Sequence, residues 1–263
     1  MNNAHACLDV NAWLGSWPFQ YFHDDSARRL EDRLRGEGIA HAMVGSPEAA
    51  FNQDCLAVNR LLVKRLAGST ALHPVLALDP TRGDWQDILS LGRDEGIAAI
   101  RLFPAYHGYE LGSAPALTAV EHIADAGCTV LFLQMRMEDE RTHHPRCRIP
   151  ALDVGPILEL AGRFPTLPVV ALCPYYHEAV ELGKGPGNVR FDLSHVETLR
   201  TVTSLLSEVA LERVLLGTHV PFLQSRAALM KLEAPYVPEA ARRAIGFENA
   251  RAILGGGPGS LVQ

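Results

Sequence analysis

Val214-Leu215-Leu216-Gly217-Thr218-His219-Val220-Pro221-Phe222 reads as a strand followed by the residues it delivers. The run from Val214 to Leu216 is short and wholly apolar, as strands of a parallel sheet covered on both faces are. Gly217 ends it. Polar residues just beyond such a strand lie where a parallel α/β barrel gathers its chemistry, at the carboxyl ends of its strands. His219 is therefore the first candidate functional side chain.

Working outward from this stretch, strands are predicted at 8–14, 41–45, 72–78, 97–103, 129–135, 169–172, 189–193 and 213–216. Helices are predicted between them at 26–35, 52–66, 85–94, 116–126, 154–163, 177–182 and 197–209, with a closing helix at 238–254. Ser26 is placed to cap the first helix, Gly36 and Gly38 to stop it, and Gly96 to stop the third. The strands are near-continuous apolar runs rather than alternating ones, which indicates a parallel sheet. Eight strand-then-helix units in 263 residues imply a closed (β/α)8 TIM barrel, a fold of about 250 residues, in preference to an open doubly wound sheet. The whole chain, 1–263, reads as a single domain with a frayed tail from about residue 255, where Gly255-Gly256-Gly257-Pro258-Gly259 stands.

Hydrophobic residues make up 48% of the chain, enough for a substantial core, and the net charge of −6 argues against a nucleic-acid or anionic-membrane surface. The five cysteines are odd in number and lack CxxC spacing. With no signal peptide at Met1-Asn2-Asn3-Ala4-His5, they read as reduced thiols of a cytoplasmic protein. No uncharged run reaches the roughly 18 to 20 residues of a membrane span. Gly183-Lys184-Gly185-Pro186-Gly187 precedes a strand instead of opening a helix, so it fails as a phosphate loop.

Four further segments carry a family resemblance. Leu8-Asp9-Val10-Asn11-Ala12-Trp13-Leu14-Gly15, Gly96 to Pro104, Arg163 to Leu172 and Ile245 to Arg251 resemble, in order and spacing, segments of the amidohydrolase-related family. So does the eighth strand, at which that family carries an aspartate. The resemblance, to the amidohydrolase 2-type branch of the metal-dependent hydrolase superfamily, implies a TIM barrel with a divalent metal at its mouth. The metal is held by a His-x-His on strand one, histidines ending strands five and six, and the strand-eight aspartate. On that alignment these positions are Asn11, Trp13, Gln134, Cys173 and His219. Asn and Gln amides bind zinc poorly and Trp does not bind it. No cofactor is therefore expected. A zinc on Cys173 and His219, helped by His177 or His195, is the alternative.

Strand parity sets Asp9, Asn11 and Trp13 on one face, and Gln134 with Arg136 on one face. The expected pocket then gathers Arg101, Arg136 and His219 as catalytic groups, with Asn11, Trp13, Gln134, Cys173 and Tyr175 binding substrate. Two guanidiniums beside an imidazole can clamp a carboxylate while the imidazole moves a proton. The competing reading pairs the arginines with Glu110, Glu138 or Asp139. Cys173 with His219 reads either as a thiolate–imidazole pair or as a buried inert thiol. Met137-Glu138-Asp139-Glu140-Arg141-Thr142-His143-His144-Pro145 reads as a substrate lid, a solvated or subunit-contact loop, or a metal site. Tyr106-His107-Gly108-Tyr109 reads as a pocket cap or a packed loop. The aromatic stretch Trp17 to His23 reads as pocket lining or an oligomer contact.

The expected function is hydrolysis of a C–O or C–N bond in a small carboxylated or cyclic substrate without a catalytic metal. The alternatives are an inactive small-molecule-binding barrel and a decarboxylase or hydratase on the same fold. Compatible partners are a small-molecule substrate and further copies of the chain.

Overall fold

A computed structural model describes residues 6–22 and 26–255. The first five residues, His23 and the tail from 256, where fraying was expected, lie outside the described residues. Strand and helix alternate as β1 (Cys7–Trp13), α1 (Ala27–Gly36), β2 (Ile39–Gly45) and α2 (Cys55–Leu66). Strand β3 has two segments (Leu72–Pro74 and Leu76–Leu78) and leads to α3 (Trp85–Glu95) and β4 (Ala99–Leu102). Next come α4 (Ala114–Asp125), β5 (Val130–Gln134), α5 (Val154–Arg163), β6 (Val169–Leu172) and α6 (Tyr176–Gly183). The last units are β7 (Val189–Asp192), α7 (Thr201–Leu206), β8 (Val214–Leu215) and α8 (Ser225–Glu233).

All neighbouring strands pair in parallel, from Asp9 opposite Ala42 round to Asp192 opposite Leu215. Closure follows from β8 and its extension meeting β1. Val10 N donates to Leu216 O (2.9 Å), His219 N to Asn11 O (2.8 Å) and Trp13 N to Val220 O (2.9 Å). The sheet therefore forms a barrel. Pro74 has no N–H to give, and the third strand breaks just after it, where Val75 N still bonds Val44 O at 2.8 Å.

Helix signals in the sequence are borne out locally. Ser26 Oγ accepts from Arg29 N, and Gly96 ends α3 with φ 69°. The predicted helix at 197–209 shrinks to Thr201–Leu206. The eighth helix is Ser225–Glu233, which sequence reading passed over. The predicted closing helix is a further helical run from Glu239–Arg243 to Asn249–Leu254, with a π-turn at Ala244–Glu248 between them. A π-turn changes which carbonyls are bonded within the helix, and Ile245 O accepts from Leu216 N, just past β8, at 3.0 Å.

Inside the barrel, Leu8, Val10, Met43, Val130, Phe132, Val170 and Leu215 pack with Ala250, Ile253 and Leu254 of the closing helix. A second cluster of Trp13, Trp17, Phe22, Phe103 and Met137 forms an aromatic layer at the mouth. The register of β1 shifts between Asp9 and Ala12. Leu8 and Val10 lie in the inner cluster, whereas Ala12 and Leu14 lie against the helices. Simple parity thus fails for Asp9. Its carboxylate instead accepts from the N–H groups of Asn11 (2.9 Å) and Thr218 (3.0 Å), tying β1 to β8.

Candidate active site

Six side chains from five strand ends meet in one buried hydrogen-bonded cluster. Asn11 Nδ2 donates to Asp192 Oδ2 at 2.8 Å and lies 3.3 Å from Cys173 Sγ and 3.2 Å from His219 Nδ1. Gln134 Nε2 donates to Arg136 O (2.6 Å) and Cys173 Sγ (3.3 Å). Trp13 Nε1 donates to His219 Nδ1 at 2.9 Å, while His219 Nε2 meets Met137 O at 2.6 Å. An indole N–H only donates and a carbonyl only accepts, so Nδ1 is bare and Nε2 carries the proton.

The backbone is bent to bring them together. Cys173 (φ 63°) and His219 (φ 57°) are both left-handed without being glycine, a strain that gathers at functional sites. Asp192 holds the first of these turns by accepting from Cys173 N (2.8 Å) and Ser194 Oγ (3.0 Å). Gly217 makes room for it, since a Cβ there would sit 2.3 Å from Asp192 Oδ2.

This geometry corrects the roles expected for the cluster. His219 is 0% exposed, both its nitrogens are engaged, and burial holds its pKa well below the ordinary histidine value, so it is not a free proton carrier. Burial likewise pushes the Cys173 thiol up to about 12, which removes the thiolate–imidazole pair. The amide NH2 groups of Asn11 and Gln134 are spent on neighbours and have no donor left for a substrate carbonyl. A divalent metal does not fit these residues. Asn11 and Gln134 turn N–H groups toward the sulfur, and Trp13 N–H caps the free imidazole lone pair. Among the described residues no group of three or more His, Cys, Asp or Glu is gathered for a metal.

The arginine clamp is not assembled either. Arg136 is 2% exposed and saturated, by Glu178 (2.6 and 2.7 Å), Glu140 (3.0 Å) and Cys173 O (2.5 Å). Its partners are not Glu110, Glu138 or Asp139. Tyr175 lies with the Arg136 and Arg141 guanidiniums 3.9 and 4.6 Å from its ring, and its hydroxyl donates to Asp139 at 2.7 Å. That ring both holds protein cations and lines the mouth cavity. Arg101 lies deeper, under Trp13, 4.0 Å from the indole ring.

Above the cluster opens a cavity of about 750 Å³. Its walls include Met137 to Arg141, Tyr175, His177, Ser194, His195, His219 and Phe222. The polar run after β5 is thus a wall, stiffened by the Arg136 and Arg141 ion pairs and by a Glu138–His143 contact at 3.4 Å. Tyr106 and His107 belong to a packed helical turn, Pro104–His107, in which Tyr106 Oη accepts from Met137 N and the His107 ring meets Ala49 O. The stretch after β1 contributes Gln20 to the cavity, and exposes Phe19 and Tyr21.

His195 is the one cavity imidazole that is mostly buried yet keeps a nitrogen free. Nδ1 lies 3.4 Å from Ser194 Oγ, and Nε2 has no hydrogen bond among the described residues. Burial, then the charges of Arg136 and Lys231, hold its pKa down to about 4. Lys231 fixes the loop by donating to Leu193 O (2.8 Å) and pairing with Glu197 (2.7 Å). The sequence offers His195 only as a borrowed metal ligand and Glu140 only as part of the polar run after β5, and it assigns no role to Asp192 or Glu178. Asp192 had a signal, being a charged residue that ends an apolar strand as His219 does.

Among the described residues, no helix is long and apolar enough to cross a membrane. A family model described as Amidohydrolase matches residues 24–256. The fold is similar to 2,6-dihydroxybenzoate decarboxylase from Rhizobium (TM-score 0.71, 14% identity, 95% of this chain and 98% of that one). It is similar also to a candidate 2-pyrone-4,6-dicarboxylic acid hydrolase from Pseudomonas putida (TM-score 0.68, 18% identity, 94% and 97%). A third similar structure is an uncharacterized TIM-barrel protein from Bordetella bronchiseptica (TM-score 0.70, 13% identity, 95% and 98%). No curated protein matches the sequence.

Proposed function

The chain belongs to the amidohydrolase family, and on that premise we propose that it acts on a small carboxylated or cyclic molecule held in the mouth cavity. The bond broken is C–O or C–N, and the acid–base groups are the chain's own side chains. What carries this reading is the buried hydrogen-bonded cluster at the strand ends, lying directly under a cavity in which His195 is the mostly buried imidazole with an unbonded nitrogen.

The cluster is the rigid floor, and His195 is the group that reaches the substrate. Being neutral at physiological pH, it has a lone pair for a proton from water or substrate. A base with pKa about 4 is weak. A substrate carboxylate in the cavity would draw that pKa back up, because an opposite charge favours the imidazolium. The site then becomes basic only when it is filled. Water excluded by the substrate strengthens the same coupling.

The competing reading is a binding barrel without turnover, favoured by the engagement of both His219 nitrogens and of the Asn11 and Gln134 amide NH2 groups within the floor. One experiment decides. Protein dialysed against a chelator is incubated with lactones, cyclic amides and aromatic acids, and products and released CO2 are followed. Turnover that survives the chelator and is lost in His195→Asn supports the proposal. Turnover that returns only with added Mn2+ or Zn2+ overturns it. A rise in melting temperature with no product selects the binding barrel, and CO2 release makes the reaction a decarboxylation.

A further inference from the structure

Arg101 has the most anomalous surroundings in the described chain. Its side chain is 1% exposed, and Nε, Nη1 and Nη2 all lack a hydrogen-bond partner among the described residues. Burial lowers its pKa only to about 9, so the guanidinium remains charged at neutral pH. Buried charges are ordinarily paired, because an unmet ion in a dry interior is strongly disfavoured. The nearby carboxylates are occupied. Asp9 serves Asn11 and Thr218, and Asp192 serves Cys173, Ser194 and Asn11. What Arg101 has instead is a stack of rings, Trp13 at 4.0 Å and Phe132 at 5.6 Å.

Gly45 packs against both the guanidinium and the indole and leaves no slack there, since a Cβ would lie 3.0 Å from Arg101 Nη1 and 3.1 Å from Trp13 Cζ3. The Trp13 ring also meets His219 (5.7 Å) and Phe222 (6.0 Å) edge-on. Both of those residues line the mouth cavity. The indole is therefore the partition between cavity and guanidinium, and its one polar tether is Nε1 to His219 Nδ1.

We propose that Arg101 is a covered anion anchor, and that its ligand is the carboxylate of a small aromatic or cyclic acid admitted when Trp13 swings aside. The fork of guanidinium donors matches a planar carboxylate two by two. A guanidinium already stripped of water at folding gains more from an arriving carboxylate than a hydrated surface arginine does. The assignment rests on the mouth cavity being the substrate site.

The test compares benzoate with benzamide, which has nearly the same shape and no charge, by calorimetry on the full chain. Wild type is expected to bind benzoate at least tenfold more tightly. Arg101→Met removes that preference while melting no lower than wild type, because it replaces an unpaired buried charge with an apolar chain. Trp13→Phe removes the tether and tightens benzoate binding severalfold. Equal binding of the two probes by wild type overturns the proposal. So does a preference that survives in Arg101→Met, or a melting point that collapses in that variant, which would reveal a structural partner for Arg101. No turnover is measured, so a benzoate preference in a protein that converts nothing leaves the anchor standing and removes only the catalytic reading.

Discussion

Trp13 Nε1 donates to His219 Nδ1 across 2.9 Å, and that contact decides what the imidazole can do. It requires a bare Nδ1, which leaves the proton on Nε2 facing Met137 O at 2.6 Å. In nitrogen-detected NMR, His219 is expected to show the neutral Nε2–H form and no titration between about pH 5 and 8. A transition in that interval would show that the ring is accessible to solvent protons.

Gly217→Ala is expected to be among the most damaging single changes, because the new Cβ would lie 2.3 Å from Asp192 Oδ2 and 2.6 Å from Asp192 Cβ. Chemical denaturation should record a loss of roughly 3 kcal/mol or more, or failure to fold. Gly112→Ala, with nothing within 4 Å of its Cβ, is the control and should stay within about 0.5 kcal/mol of wild type.

The two buried arginines should respond in opposite ways to the same substitution. Arg136→Met strands Glu178 and Glu140, whose carboxylates it pairs at 2.6 and 3.0 Å, and should cost about 3 to 5 kcal/mol. Arg101→Met strands no hydrogen-bond partner, since the Arg101 guanidinium makes no hydrogen bond among the described residues. Equal losses measured in urea for the two variants would contradict the different partner sets.

Acid should weaken the fold through His195. Its folded pKa is near 4, below the unfolded value near 6.5, so between those pH values only the unfolded chain binds the proton. The stabilisation is full above about pH 6.5 and is lost as pH falls toward 4. Asp9, raised to about 6 chiefly by burial, acts in the opposite direction, since its folded form takes up a proton first as pH drops. Comparing wild type with His195→Asn isolates the first effect. The variant should lose less stability between pH 6.5 and 4, by on the order of 2 kcal/mol. An identical pH slope in the two proteins would rule out a depressed His195.

Much of the scaffold was legible from residue pattern. Apolar runs marked all eight strands, and β6 and α5 fall at their predicted limits. Ser26, Gly38 (φ 85°) and Gly96 (φ 69°) act over one helical turn, which is why their caps and stops could be placed in advance, whereas Gly36 is itself the last residue of α1. Asn11, Trp13, Gln134, Cys173 and His219 do converge, because a parallel barrel brings all strand carboxyl ends to one face.

What those side chains do there depended on the tertiary structure. Arg136 has the chemistry of a substrate clamp, but Glu178, 42 positions along the chain, already holds its guanidinium. His219 looked like a proton carrier until Trp13, 206 positions away, was found capping its lone pair. Asp9 left the expected face because a register shift in β1 changed which way successive residues point. The sequence by itself determined the barrel and that Asn11, Trp13, Gln134, Cys173 and His219 share its mouth, since hydrophobic periodicity is local and parallel strands share one functional end. The tertiary structure alone decided which charges are already paired, which nitrogen carries the proton and which guanidinium stands unmet. Those depend on contacts of a few ångströms between residues far apart in the chain, which no local pattern records.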